Sequence, residues 1–181
     1  MRIMLSLAAF LFASSPTVLD VPAVPEGAPS QATYVSLADV QATTSRTPQA
    51  GVNPQPNIRV VDAGGYNVAV GAIHRPETPP GVAAVHFKVS EIYHVIDGGG
   101  TLVTGGRMVN SKTRPPESES VRLEDGPGAS GTSIEGGMTR QIKAGDVVVI
   151  PAGVPHWFSK IEGSITYLVV RVDPTRILAV K

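Results

Sequence analysis

From residue 58 to residue 172, short apolar and β-branched runs alternate with turns that carry glycine or proline, and this punctuation limits the fold more than any other feature. Residues 67–73, 82–89, 91–96, 101–104, 147–150, 157–158 and 165–172 each read as strands. Between them stand Pro79-Pro80-Gly81, Gly98-Gly99-Gly100, Gly105-Gly106 and Glu162-Gly163-Ser164. Such spacing leaves little room for amphipathic helices and predicts an all-β sandwich or barrel. A length of 181 residues fits one domain. Fifteen basic residues balance fifteen acidic ones, so the chain lacks the basic excess of a general nucleic-acid binder. Cysteine is absent, which excludes disulfides, thiolate metal sites and a cysteine nucleophile.

The N-terminal part has a different texture. Arg2 precedes an apolar run broken only by Ser6, and small residues follow at Ala13, Ser14 and Ser15. Residues 1–15 thus have the layout of a secretory signal peptide, too short to span a bilayer. The expected location is periplasmic or secreted, with no stable membrane insertion once the signal is removed. Residues 16–57 are rich in Pro, Ala and Thr and read as an extended tether. Within it, Ser36 and Asp39 resemble a capping box, which predicts a short helix near residues 36–43. The main domain is expected over residues 58–181. Residues 110–137, with Pro115, Pro116, Pro127 and several glycines, read as a loop insertion and as a disordered excursion, the alternative being a segment that closes over a site.

One stretch is sharper than the rest. Gly145 is followed by five residues, then by Pro151, Gly153 and His156 in a Pro-x-Gly-x-x-His arrangement. Pro151 has no amide hydrogen and ends a buried strand. Gly153 permits the turn. His156 then opens the next strand with its side chain free to aim inward. This arrangement resembles the second motif of the cupin superfamily. Part of the first motif is also present: His86, Glu91 and Gly98 keep its spacing, while Ala84 stands where its first histidine belongs and the leading glycine is displaced to Gly81. The resemblance implies a double-stranded β-helix, the jelly-roll cupin barrel, with a metal in its mouth.

Two neutral imidazoles and one carboxylate are a ligand set for divalent first-row metals. His86, Glu91 and His156 are therefore the candidate metal ligands, with Fe(II) favoured and Mn, Ni, Cu or Zn as alternatives. His74, Tyr93 and His94 are candidate catalytic groups. Alternation along a strand puts Tyr93 on the face of Glu91 and His94 on the opposite face. His74 can face the site if the face of Val70 and Ala72 is the inner one. Phe158 shares the parity of His156 and reads as apolar wall, whereas Trp157 faces outward, as a subunit contact would. Arg75, Arg140 and Arg171 read as surface or strand-end charges, with anion binding as the alternative. The expected function is that of a metalloenzyme acting on a small molecule, a dioxygenase first and an isomerase or lyase second. A ligand- or carbohydrate-binding barrel without turnover is the alternative, and a homodimer fits either.

Overall fold

The structure is a computed structural model that describes residues 31–46, 56–77 and 81–181. The signal-like segment and most of the Pro-rich tether lie outside these residues, as do Pro79 and Pro80. One α-helix, α1 (Leu37–Thr44), begins at the expected place. Ser36 Oγ accepts from the Asp39 amide at 3.0 Å and the Asp39 carboxylate accepts from the Ser36 amide at 3.0 Å, closing the box. No helix among the described residues is long and apolar enough to cross a membrane.

The remainder is β-structure. The strands are β1 (Asn57–Asp62), β2 (Asn67–Pro76), β3 (Ala83–His86), β4 (Ser90–Thr104), β5 (Arg107–Val109), β6 (Lys112–Thr113), β7 (Gly128–Gly131), β8 (Ser133–Glu135), β9 (Met138–Lys143), β10 (Val147–Ile150) and β11 (His156–Asp173). Every pairing is antiparallel. β11 is the hub: it pairs with β2 and β4 and, at His156, with β3, while β4 also takes β9 and β10. The inner faces of these strands supply a core of Ile73, Val95, Leu102, Ile142, Ile150, Ile161, Ile165 and Val169 with the rings of Tyr93, Phe158 and Tyr167. This is the all-β jelly-roll architecture the sequence predicts.

Two predicted turns are instead corners inside longer strands. β4 runs through Gly98–Gly100, and β11 runs through Glu162, Gly163 and Ser164. The register moves from Ile161 opposite Gly100 to Ile165 opposite Gly98, so β11 carries the extra residues as a bulge. Gly98 lies at φ +71°, and a Cβ there would stand 2.0 Å from the Ser164 carbonyl oxygen. Both the left-handed backbone and the backbone contact demand glycine. Gly98→Ala is expected to lower stability by at least about 3 kcal/mol, read from the guanidinium unfolding midpoint. A loss below about 1 kcal/mol would show that the corner can relax.

Residues 110–137 correct the sequence expectation of a disordered excursion. They contain β6, a π-helical turn (Ser120–Glu124), β7 and β8. β7 pairs with β3 over its whole length, placing Gly128 opposite His86. The misleading signal was the proline and glycine content. Here Gly128 leaves room for a side chain, since a Cβ would meet Arg114 Nη2 at 2.1 Å. Trp157 has the expected parity, opposite to the inward His156 and Phe158. Its indole donates to the Gly81 carbonyl at 2.6 Å and packs on Ala83, Val103 and Ile134, so its own chain engages it.

Candidate metal centre

The two sequence motifs meet through the backbone. β3 ends on His86, β4 opens one residue before Glu91, and β11 opens on His156. The turn between β10 and β11 is stapled to the other two: the Gly153 amide donates to the His86 carbonyl at 2.7 Å, and the Ala152 amide to Ser90 Oγ at 3.1 Å. Gly153 adopts φ +83°, the left-handed conformation that the turn needs.

These constraints bring His86, Glu91 and His156 together, and all three are buried. Glu91 Oε2 lies 3.3 Å from His86 Nε2 and 3.4 Å from His156 Nε2, and one donor atom from each residue falls within 4.8 Å of the others. Bonds of about 2.1 Å to one cation place neighbouring donors roughly 3.0–3.4 Å apart, so the spacing suits a single metal ion. His156 has the right tautomer for this. Its Nδ1 faces the Val154 carbonyl at 3.3 Å, which can only accept, so the proton sits there and Nε2 keeps its lone pair. Burial, with the neighbouring His86 and Arg75, pushes the His156 pKa down to about 4 against the pull of Glu91. The ring is therefore neutral near pH 7, as a ligand must be.

His86 is held differently. Its Nδ1 is 3.0 Å from Arg114 Nη2, which can only donate, so Nδ1 is the accepting atom there and Nε2 is turned toward Glu91. Asp125 Oδ2 stands 3.7 Å from the same Nδ1.

Glu91 is fixed at both oxygens. Arg171 Nε donates to Oε1 at 2.9 Å and the Tyr93 hydroxyl to Oε2 at 2.8 Å. Burial raises the carboxyl's pKa, but His86, Arg171 and His156 together outweigh it and hold the group well below its ordinary value. Burial and the Glu91 charge push the Tyr93 phenol well above 10, so it stays a donor. Arg171 continues to Asn57 Oδ1 at 2.7 Å, and Asn57 Nδ2 donates to the carbonyls of Leu123 and Glu124. Arg114 pairs with Asp125 at 2.9 Å. A loop of polar contacts therefore runs from Glu91 through Arg171, Asn57, the π-helical turn, Asp125 and Arg114 back to His86.

The other candidates fall as follows. Tyr93 is buried against the triad, as alternation predicts. His94 is exposed on the outer face, also as predicted. His74 is exposed as well, with Nδ1 2.9 Å from Thr166 Oγ1, and lies away from the triad. The inner residues of β2 are Ala69, Gly71, Ile73 and Arg75, so the face of Val70 and Ala72 is the outer one. Arg140 is exposed. Arg114, Asp125 and Asn57 were not singled out by the sequence, and Arg171, expected as a surface or strand-end charge, is instead fully buried against Glu91, in keeping with its parity with the inward Tyr167 and Val169.

An antiparallel barrel with two imidazoles and a carboxylate converging in its interior defines the jelly-roll class with a metal-competent mouth. The family profile described as "Cupin" matches residues 57–176, and the chain belongs to that family. No curated protein matches it. The chain is also similar, at low identity, to several solved structures. A protein from Bacillus halodurans is 12% identical, with 84% of this chain and 88% of that one covered at a TM-score of 0.45. Hydroquinone 1,2-dioxygenase from Sphingomonas sp. TTNP3 is 13% identical, with 78% and 75% covered at 0.46. A protein with a double-stranded β-helix domain from Klebsiella pneumoniae subsp. pneumoniae MGH 78578 is 17% identical, with 81% and 94% covered at 0.43.

Proposed function

We propose that this cupin is a metal-dependent protein that acts on a small molecule, with His86, Glu91 and His156 holding one divalent first-row ion. The convergence of their three donor atoms carries this reading. Two histidines and one carboxylate are the set associated with non-haem Fe(II), so Fe(II) is the first metal and dioxygenation the first reaction to test. Bound there, such an ion supplies Lewis acidity and open positions for substrate or oxygen. The protein's own groups set the stage. Val154 orients His156, while Arg171 and Tyr93 orient Glu91 and satisfy its remaining lone pairs. For isomerase or lyase chemistry, Tyr93 is the candidate acid beside the centre, because His74 and His94 lie on the outer face. The signal-like residues 1–15 support a periplasmic or secreted location.

Binding without turnover is the second reading. Ala84, paired with His156 across β3 and β11, stands where the fuller motif has a histidine, so the donor set is one short.

The test is metal content. The chain purified without chelator is expected to carry near-stoichiometric metal by elemental analysis. His86→Ala and His156→Ala should lose it, and His74→Ala and His94→Ala should keep it. A folded wild-type chain that takes up no metal on reconstitution would overturn the metal reading and leave the second one standing.

A further inference from the structure

Among the described residues the interior cations pair with acids, with one exception. Arg171 is matched to Glu91, and Arg114 to Asp125. Asp173 takes the amides of Leu178 and Thr175. Arg75, on the inner face of β2, has no acidic partner among the described residues. Its Nε donates to the Tyr167 hydroxyl at 2.9 Å, and its guanidinium lies 5.9 Å from the centroid of the Phe158 ring. These two contacts fix the plane of the fork. The terminal nitrogens Nη1 and Nη2 make no hydrogen bond or ion pair to a described residue. They are not sealed in the core, so solvent reaches them.

The same aromatic wall leads from Arg75 to the triad. Tyr167 packs on Tyr93 with ring centroids 4.5 Å apart, Tyr93 lies nearly parallel to Phe158, and the Tyr93 ring edge meets His156 at 6.1 Å. A preoriented guanidinium with a free two-nitrogen edge matches a carboxylate in geometry. One uncompensated positive charge matches one negative charge, and a divalent ion at the triad adds to the preference for an anion.

We propose that Arg75 anchors the carboxylate of a small, singly charged organic acid bound on the side of the aromatic wall that leads to the His86, Glu91 and His156 centre. This assignment deepens the metal-dependent reading above by naming the substrate class.

The probes are benzoate, benzamide of the same shape without the charge, and inorganic phosphate, each titrated calorimetrically into the full chain. Benzoate is expected to bind, with benzamide and phosphate weaker by about tenfold or more. Arg75→Gln should weaken benzoate by about ten- to hundredfold, and Arg75→Lys should recover part of that, with metal content and melting temperature unchanged in both. In His156→Ala, benzoate binding should persist although metal is lost. Equal binding of benzoate and benzamide, equal or tighter phosphate binding, or no benzoate binding at all would overturn the proposal. Loss of benzoate in His156→Ala with retention in Arg75→Gln would place the acid on the metal instead and also overturn it. A wild-type chain that binds benzoate through Arg75 yet never takes up metal would sink the metal centre and keep the anchor.

Discussion

Arg171→Met is expected to destabilise the protein by about 3–5 kcal/mol. The guanidinium is fully buried, sits directly opposite Glu91 in the β4–β11 register, and donates to Glu91 Oε1 and Asn57 Oδ1. Methionine fills similar volume but leaves a buried carboxylate facing an oily side chain. The loss also frees Asn57, which ties β1 to the π-helical turn. A second substitution separates the causes. If the stranded charge dominates, Glu91→Gln added to Arg171→Met should recover a large part of the loss, because the amide no longer needs a cation. Guanidinium unfolding of the single and double variants gives the comparison. A single variant within about 1 kcal/mol of wild type would mean that Glu91 finds another partner or takes up a proton cheaply.

The second large effect is acid lability of the metal-free protein. His156 falls from 6.5 in the unfolded chain to about 4 in the folded one, chiefly through burial. Between those values the unfolded state binds the extra proton, so stability rises with pH across the window and falls on acidification. The full difference amounts to about 3 kcal/mol. Glu91 works in the same direction. Its folded pKa lies well below 4.5, so its contribution is complete above that value and is lost as pH drops toward the folded one. Unfolding midpoints measured with chelator from pH 7 to pH 4 should therefore decline steadily. His156→Gln, which cannot take up a proton, should flatten the decline between pH 6.5 and about 4. An unchanged slope in that variant would mean that other groups govern the acid limb.

The sequence showed the strands and the three donors because both leave local marks. β-branched runs end at glycine or proline, and the spacing from His86 to Glu91 and from Pro151 to His156 is short enough to read directly. Strict alternation also placed Tyr93 inside and His94 outside. Where alternation lacked an anchor it misled. His74 was read against the face of Val70 and Ala72, and only Ile73 in the core shows that the other face is inner. The polar ring was hidden for a different reason. Arg171 needs Glu91, 80 residues away, and Arg114 needs Asp125 and His86, 11 and 28 residues away, so neither arginine shows its partner in the local pattern. Parity with Tyr167 and Val169 was the available signal. A fully buried arginine calls for a counter-charge, and Glu91, already a candidate ligand, is the carboxylate that supplies it. The glycines of residues 110–137 carried information too, since an absent Cβ at Gly128 marks the space that Arg114 fills.

The placement of His156 has a temporal corollary. It opens β11, which follows every other strand in chain order and is the ladder on which β2 and β4 both depend. A chain still being made can offer His86 and Glu91, but no complete set of donors exists until β11 has docked. On the metal reading proposed above, the full donor set would therefore form only when the barrel closes.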